Sequence, residues 1–211
     1  MKAFAKLFDN GHAVLLSDLN EEQLDKFINK EVQRAGIPSL PGCIEHAYAI
    51  WDTIQETKKG KEDLSVIWLD LANAYGSVPH SVLFLAMERF HIPEEVRCLM
   101  MKYYSSFKMR FTTSNFTTEW HSLEVGIAAG CTISVIWFIL VMEIILLSTR
   151  FGKDHANVRS PIKAFMDDVT LLTRKKTVME SVMVDLNELV CWARMKFKPK
   201  KSRSLTFKKG R

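Results

Sequence analysis

The sequence predicts an α+β fold, an antiparallel sheet backed by helices, on three observations. Leu64–Leu69 is apolar at nearly every position and reads as a central strand buried on both faces. Two shorter β-prone runs, Pro161–Phe165 and Val169–Thr173, stand so close together that they form a tight hairpin with Asp167-Asp168 at its tip. The segments around them carry the apolar spacing of amphipathic helices.

Taken in chain order, Glu21–Gln33 sets Leu24, Phe27, Ile28 and Val32 on the inner face of one helix. Cys43–Thr57 sets Ile44, Ala47, Tyr48, Trp51 and Ile54 on one side of a second. The linker Gly36–Gly42 contains Pro38 and Pro41 and is not helical throughout. After Leu69 the run Leu71–His80 breaks the strand with turn formers, and a helix starts near Pro79. Helices follow over Ser81–Phe90 and Pro93–Ser106, the second entered through a proline that the first turn tolerates. Lys108–His121 alternates and turns at Ser114-Asn115, the pattern of a hairpin. Ile133–Leu147 is a core helix: a membrane span needs roughly 20 apolar residues, and Glu143 interrupts this shorter run. Gly126 and Gly130 precede it and let the backbone approach a substrate. A helix over Thr177–Lys196 and a strand over Ser204–Phe207 end the order.

A chain of 211 residues, nearly half apolar, has enough apolar material for a folded core, as one compact domain plus a partial neighbour. Cys43, Cys98, Cys131 and Cys191 are widely spaced and form no CxxC pair, which argues against structural zinc and against a disulfide framework. Met1–Leu16 has no long apolar core of a secretory signal, so the expected setting is intracellular, nucleus or cytoplasm, neither secreted nor in a membrane. The charge is concentrated at one end. Arg194–Arg211 holds nine basic residues and no acidic one, so the rest of the chain carries −4 against +5 for the whole. Such local basicity suits one face contacting a polyanion; a solvated basic tail is the other reading.

Two adjacent carboxylates at a hairpin tip repel, and one pKa rises unless a cation neutralises them. Carboxylate oxygens are what Mg²⁺ takes from a protein while it keeps water and substrate phosphates as its other ligands. Asp70, at the exit of the central strand, supplies a further carboxylate at the edge where sheets place ligand groups. If the two acidic strands are neighbours, Asp70 and Asp167 reach the same ions, an arrangement suited to two metals about 3.5–4 Å apart that clamp a phosphoryl transfer.

Four runs, Val66–His80 (VIWLDLANAYGSVPH), Val125–Phe138 (VGIAAGCTISVIWF), Ala164–Thr170 (AFMDDVT) and Trp192–Leu205 (WARMKFKPKKSRSL), resemble consecutive palm motifs of reverse transcriptases in order and spacing. Ala35–His46 (AGIPSLPGCIEH) resembles the lead-in to the palm in enzymes of non-LTR retrotransposons, so the likeness covers roughly residues 33–207. The resemblance implies a palm over 61–211 with partial fingers over 1–60, and helices on one sheet face that leave the other free for a duplex. It implies Asp70, Asp167 and Asp168 as catalytic carboxylates. Asp70, Asp167 and the Leu71 carbonyl would hold two Mg²⁺ ions, with Mn²⁺ a possible substitute. Tyr75 takes the aromatic position that excludes a 2′ hydroxyl; a core tyrosine closing the turn is the alternative. Gly126, Gly130 and Ser134 match the motif lining the nucleotide and template side of the cleft. Lys201 matches the lysine that protonates pyrophosphate, or is one more phosphate-facing or solvated lysine. Arg194, Lys196, Lys198, Lys200 and Arg203 become the nucleic-acid contacts.

Two positions depart from the commoner pattern, Ala129 where glutamine is usual and Val135 where proline is usual. The implied reaction is template-directed addition of deoxynucleotides to a primer 3′ hydroxyl, with RNA template, DNA primer and deoxynucleoside triphosphates as partners. No counterpart of the earlier fingers strands, the thumb, an endonuclease or a ribonuclease H is recognised. The expectation is therefore a palm-centred fragment with little polymerase activity by itself. The alternative is a catalytically silent nucleic-acid-binding remnant of a retroelement.

Overall fold

The computed structural model describes residues 32–35, 42–149 and 161–211. The expected helix over Glu21–Gln33 and the linker Gly36–Gly42 lie largely outside them. The elements are α1 Cys43–Gly60, β1 Leu64–Leu69, α2 Ala74–Ser77, α3 His80–Arg89, α4 Glu94–Ser106, β2 Lys108–Met109 and β3 His121–Ser122. Then follow α5 Thr132–Ser148, β4 Ile162–Phe165, β5 Asp168–Thr173, α6 Lys176–Trp192 and β6 Arg203–Phe207.

β1 is central because its side chains have a core on either face. Leu69 and Ile67 face the larger core with Val169 and Leu171 of β5, while Leu64 and Val66 face a smaller one with Leu172 and Phe207. The sheet runs β4-β5-β1-β6, antiparallel throughout, with Leu69 opposite Val169 and Trp68 opposite Arg203. The larger core is closed by α3, α5 and α6, with α5 packed on both others and α6 against β5. α5 is enclosed from Ile133 to Leu146, as its apolar run predicts; Trp137, Phe138, Ile139, Met142 and Ile145 are all buried, and only its last turn emerges at Leu147. Among the described residues no helix is long and apolar enough to cross a membrane.

Three helices close in the same way, with a residue other than glycine in the left-handed position. Lys61, His91 and Arg194 take positive φ just past α1, α3 and α6. Each is followed by a residue whose N–H reaches back five positions: Glu62 to Thr57, Ile92 to Met87 and Met195 to Val190. This is the Schellman closure, which satisfies carbonyls that a helix end leaves bare. It also explains why α6 stops at Trp192 rather than Lys196: Ala193 and Met195 turn into the core on either side of Arg194.

Other expectations are corrected. Val32 and Gln33 do not end a helix. They extend beside β4 in parallel, with Ala164 N–H donating to Val32 O and Arg34 N–H to Ala164 O. On α1 the inward residues are His46, Ile50, Ile54 and Thr57, whereas Ile44, Tyr48 and Trp51 are exposed. Because Ile50 and Ile54 cover the smaller core, the second sheet face is not free: α1 occupies its Leu64 end. The Lys108–His121 hairpin has short ladders, β2 with β3 and a bridge of Thr112 with Thr117, and its Phe111, Phe116 and Trp120 are exposed rather than part of a core.

Candidate active site

Asp70 leaves β1 between two backbone ladders. Continuing the Leu69–Val169 register by one step sets it across from Asp168, on the face that carries Trp68 and Val66. On its other side Lys198 N–H donates to Asp70 O and Ala72 N–H donates to Lys196 O, each at 2.7 Å. These bonds bracket the Leu71–Phe197 pair, so the Leu71 carbonyl is left out of the ladder. The Leu71 side chain meanwhile anchors in the core.

The hairpin that carries the other two acids has a loop of only two residues, Met166 and Asp167, because Phe165 pairs with Asp168. Asp168 thus opens β5 rather than sharing the tip. A loop this short demands positive φ, and Met166 supplies it at 59°. Of the three acids, Asp168 is exposed, whereas Asp70 and Asp167 are half-buried. The Asp168 carboxyl titrates above its ordinary value, first through partial desolvation and then through Asp167 and Asp70, with Lys201 pulling the other way. The three carboxylates therefore share one electrostatic neighbourhood.

Asp70 Oδ2 is enclosed and accepts no hydrogen bond. Lys198 Nζ and Lys201 Nζ each lie 3.8 Å from it, ion-pair rather than hydrogen-bond distances. Among the described residues no three His, Cys, Asp or Glu side chains form a ready metal cage. Mg²⁺ does not require one, since it is bound through one or two carboxylates and completes its shell with water and phosphate. An orphaned carboxylate oxygen, a carbonyl outside its ladder and the adjacent Asp167 form an all-oxygen donor set that fits such an ion.

Beside the acids lies a pocket of about 300 Å³ lined by Tyr75, Ala129, Gly130, Cys131 and Val135. Tyr75 stacks on Phe138 with ring centroids 4.9 Å apart and planes 12° from parallel. Its hydroxyl titrates above the ordinary range, through burial first and then the nearby negative charge of Asp167. Gly126 is at φ +96°, and a Cβ there would stand 2.9 Å from the Gly76 Cα. Its N–H donates to Val78 O, and the Ile127 N–H donates to Tyr75 O, both at 2.8 Å. Gly130 is at φ +81° in open space, where a side chain would meet nothing. Ser134 is fully buried beside Tyr104, in the first turn of α5, and is not among the residues lining the pocket.

The basic residues divide. Arg194, Lys196 and Lys200 are exposed along the segment that passes Asp70. Lys198 and Lys201 turn their ammonium groups toward Asp70. Arg203 is exposed, but its Nη1 donates to Lys200 O at 2.7 Å and Ser202 O at 2.8 Å, so it also holds the turn before β6.

Two residues not singled out from sequence matter here. His80 Nε2 lies 2.8 Å from Gly126 O, and since a carbonyl only accepts, the proton sits on Nε2 and ties α3 to the glycine loop. Gln33 contacts the Met166 backbone through its carboxamide. His80 lies inside a quoted motif, but nothing local signals Gln33.

The sequence profile of the family described as reverse transcriptase (RNA-dependent DNA polymerase) matches residues 17–209. The retrovirus-related Pol polyprotein from type-1 retrotransposable element R2 of Nasonia vitripennis is 26% identical over 151 residues, 71% of this chain and 15% of that protein. Among solved structures, apo telomerase from Candida tropicalis truncated from its C-terminal domain superposes with a TM-score of 0.67 at 14% identity. That match covers 92% of this chain and 40% of the telomerase chain. Telomerase from Candida tropicalis in complex with a fragment of telomeric RNA gives 0.69 at 14% identity, over 92% and 33% of the two chains. At these identities the structural matches establish the fold. The chain spans less than half of each of these relatives.

Proposed function

Because the chain belongs to the reverse transcriptase (RNA-dependent DNA polymerase) family, as a domain of the non-LTR retrotransposon type, we propose that its acidic sheet edge transfers deoxynucleotides to a primer 3′ hydroxyl on an RNA template. The observation that carries this reading is the strand register, which leaves Asp70, Asp167 and Asp168 at the same edge of the β1–β5 pair, near a pocket walled by Tyr75 and Gly130. Asp70, Asp167 and the Leu71 carbonyl would hold the divalent ions. When bound, these ions neutralise developing charge and lower the pKa of the primer hydroxyl. The division into a palm at 61–211 and partial fingers at 1–60 belongs to the same proposal.

The chain's own residues account for the remaining tasks. The Tyr75 ring, braced by Phe138, walls the pocket so that a sugar bearing a 2′ hydroxyl is crowded. Gly130 lets the backbone approach the nucleotide without a side chain between them. Lys201, exposed yet within ion-pair range of Asp70, supplies a proton to the departing pyrophosphate. Lys198 compensates the Asp70 charge from the other side of the ladder. Lys196, Lys200 and Arg194 track phosphates of template or primer. Ala129 and Val135 leave the pocket wall apolar, so nucleotide selection rests on shape and on template pairing.

Single-nucleotide extension of a DNA primer on an RNA template, at high protein concentration with Mg²⁺ or Mn²⁺, tests the reading. Addition should be weak, should vanish in Asp70→Asn and Asp167→Asn, and should lose its preference for deoxynucleotides in Tyr75→Ala. Extension that survives both acid variants would place the chemistry elsewhere. Salt-dependent RNA binding without extension, equal in Asp167→Asn and the parent, would identify a silent binding domain.

A further inference from the structure

We propose that Gln33 is a positioning residue for the acidic turn: its carboxamide grips the Met166 backbone and thereby sets where Asp167 stands relative to Asp70. Gln33 is fully buried, 133 positions from Met166 in sequence. Its Oε1 accepts from the Met166 and Ala35 N–H groups, each at 3.1 Å, and its Nε2 donates to Met166 O at 3.3 Å. Two backbone donors facing one side-chain atom require that atom to be oxygen, which settles the orientation of the amide.

The grip matters because of what Met166 must do. A two-residue loop forces it to φ 59°, a left-handed conformation that an L side chain disfavours. Such a residue persists only where its surroundings over-determine it. Here both polar groups of its backbone are held by one side chain. The Met166 carbonyl belongs to the peptide that joins Met166 to Asp167, so holding it fixes the plane from which Asp167 departs. Gln33 is itself anchored, because Ala164 N–H donates to Val32 O at 2.7 Å and Arg34 N–H to Ala164 O at 3.3 Å. The anchor and the turn are thus both fixed to β4, two residues apart. A chain segment far upstream in sequence thereby reaches the turn that carries Asp167.

This inference rests on the reading of Asp167 as a metal-holding carboxylate, and the experiment separates the two. Gln33→Met keeps length and apolar volume but removes all three hydrogen bonds. Gln33→Asn keeps the carboxamide one methylene too short to span both Met166 groups, and replaces it if Gln33→Met fails to fold. Two readouts are taken on the full chain: Mn²⁺ affinity by calorimetry or electron paramagnetic resonance, and amide hydrogen exchange of peptides covering Ala164–Val169. Removing a partner that orients a metal ligand typically weakens binding about 10–100-fold. The variant should therefore bind Mn²⁺ about tenfold more weakly and exchange faster at the turn, with α5 and α6 unchanged. Faster exchange with unaltered Mn²⁺ affinity would reduce Gln33 to a structural residue. Unaltered exchange would remove the clamp altogether. If Asp167→Asn weakens Mn²⁺ binding and Gln33→Met does not, the positioning role alone is overturned. If the parent binds Mn²⁺ no better than Asp167→Asn, the metal reading falls and takes the role of Gln33 with it.

Discussion

His46 shows how a single group couples this fold to pH. It is buried on the inner face of α1, its Nε2 has no hydrogen-bond partner, and its pKa is lowered to about 4 by burial first and by Lys163 and Arg34 next. The folded protein therefore keeps the ring neutral where the unfolded chain protonates it near 6.5. The unfolded state binds the extra proton between these values, so stability falls as pH drops through that window. Between pH 7 and pH 5 this group alone removes roughly 2 kcal/mol, at 1.36 kcal/mol per pKa unit. Urea unfolding at the two pH values should show that decrease in the parent and a smaller one, by a similar amount, in His46→Leu. An equal decrease in both would mean that the ring is protonated in the folded state. Nothing local to His46 in the sequence reveals its burial, because Ile44, Tyr48 and Trp51 mark a more apolar stripe on the opposite face of the same helix.

Among the elements, the glycine loop before α5 separates two uses of the same residue type. At Gly126 a side chain is excluded both by φ +96° and by the Gly76 backbone 2.9 Å away, a close approach that docks this loop on the turn after Asp70. At Gly130 only φ +81° opposes it. Gly126→Ala should thus cost roughly 2–4 kcal/mol, left-handed strain plus overpacking, while Gly130→Ala should cost about 1–2 kcal/mol from strain alone. Denaturant midpoints of the two variants test the difference; equal costs would mean that the Gly76 backbone yields freely. Both glycines are legible in sequence as places where backbone comes close to something. The partner of Gly126, another glycine 50 positions upstream, is not.

Across the whole molecule, the basic segment and the acidic edge adjoin each other. The stretch 196–198 pairs with 70–72, which carries positive charge along the rim of the carboxylate site. If this rim binds nucleic acid, its affinity should fall linearly on a log–log plot against salt. Lys196→Ala with Lys200→Ala should reduce that slope by about 2, one for each phosphate left without its lysine. Anisotropy of a labelled RNA between about 50 and 200 mM salt measures it. Arg203→Ala should change the slope less than either lysine, because its guanidinium is partly engaged by the Lys200 and Ser202 carbonyls. A slope indifferent to both lysines would return the segment to a solvated tail.

From the sequence alone came most of the element order from Cys43 onward, the strand that ends at Asp70, the hairpin at the other two acids, the buried α5 and the local basicity. Each is written in spacings of a few residues: an unbroken apolar run, a two-residue turn, a helical period, a cluster of one charge. Only the tertiary structure decided that β5, which opens at Asp168, pairs with the strand that ends just before Asp70, that Ser134 is buried and that α1 buries its Ile50 and Ile54 stripe. It alone brought Gln33 to Met166. Those outcomes depend on strand register and on which of two apolar surfaces meets a third. The pairing of Gln33 with Met166 joins residues 133 positions apart, and no local periodicity encodes it.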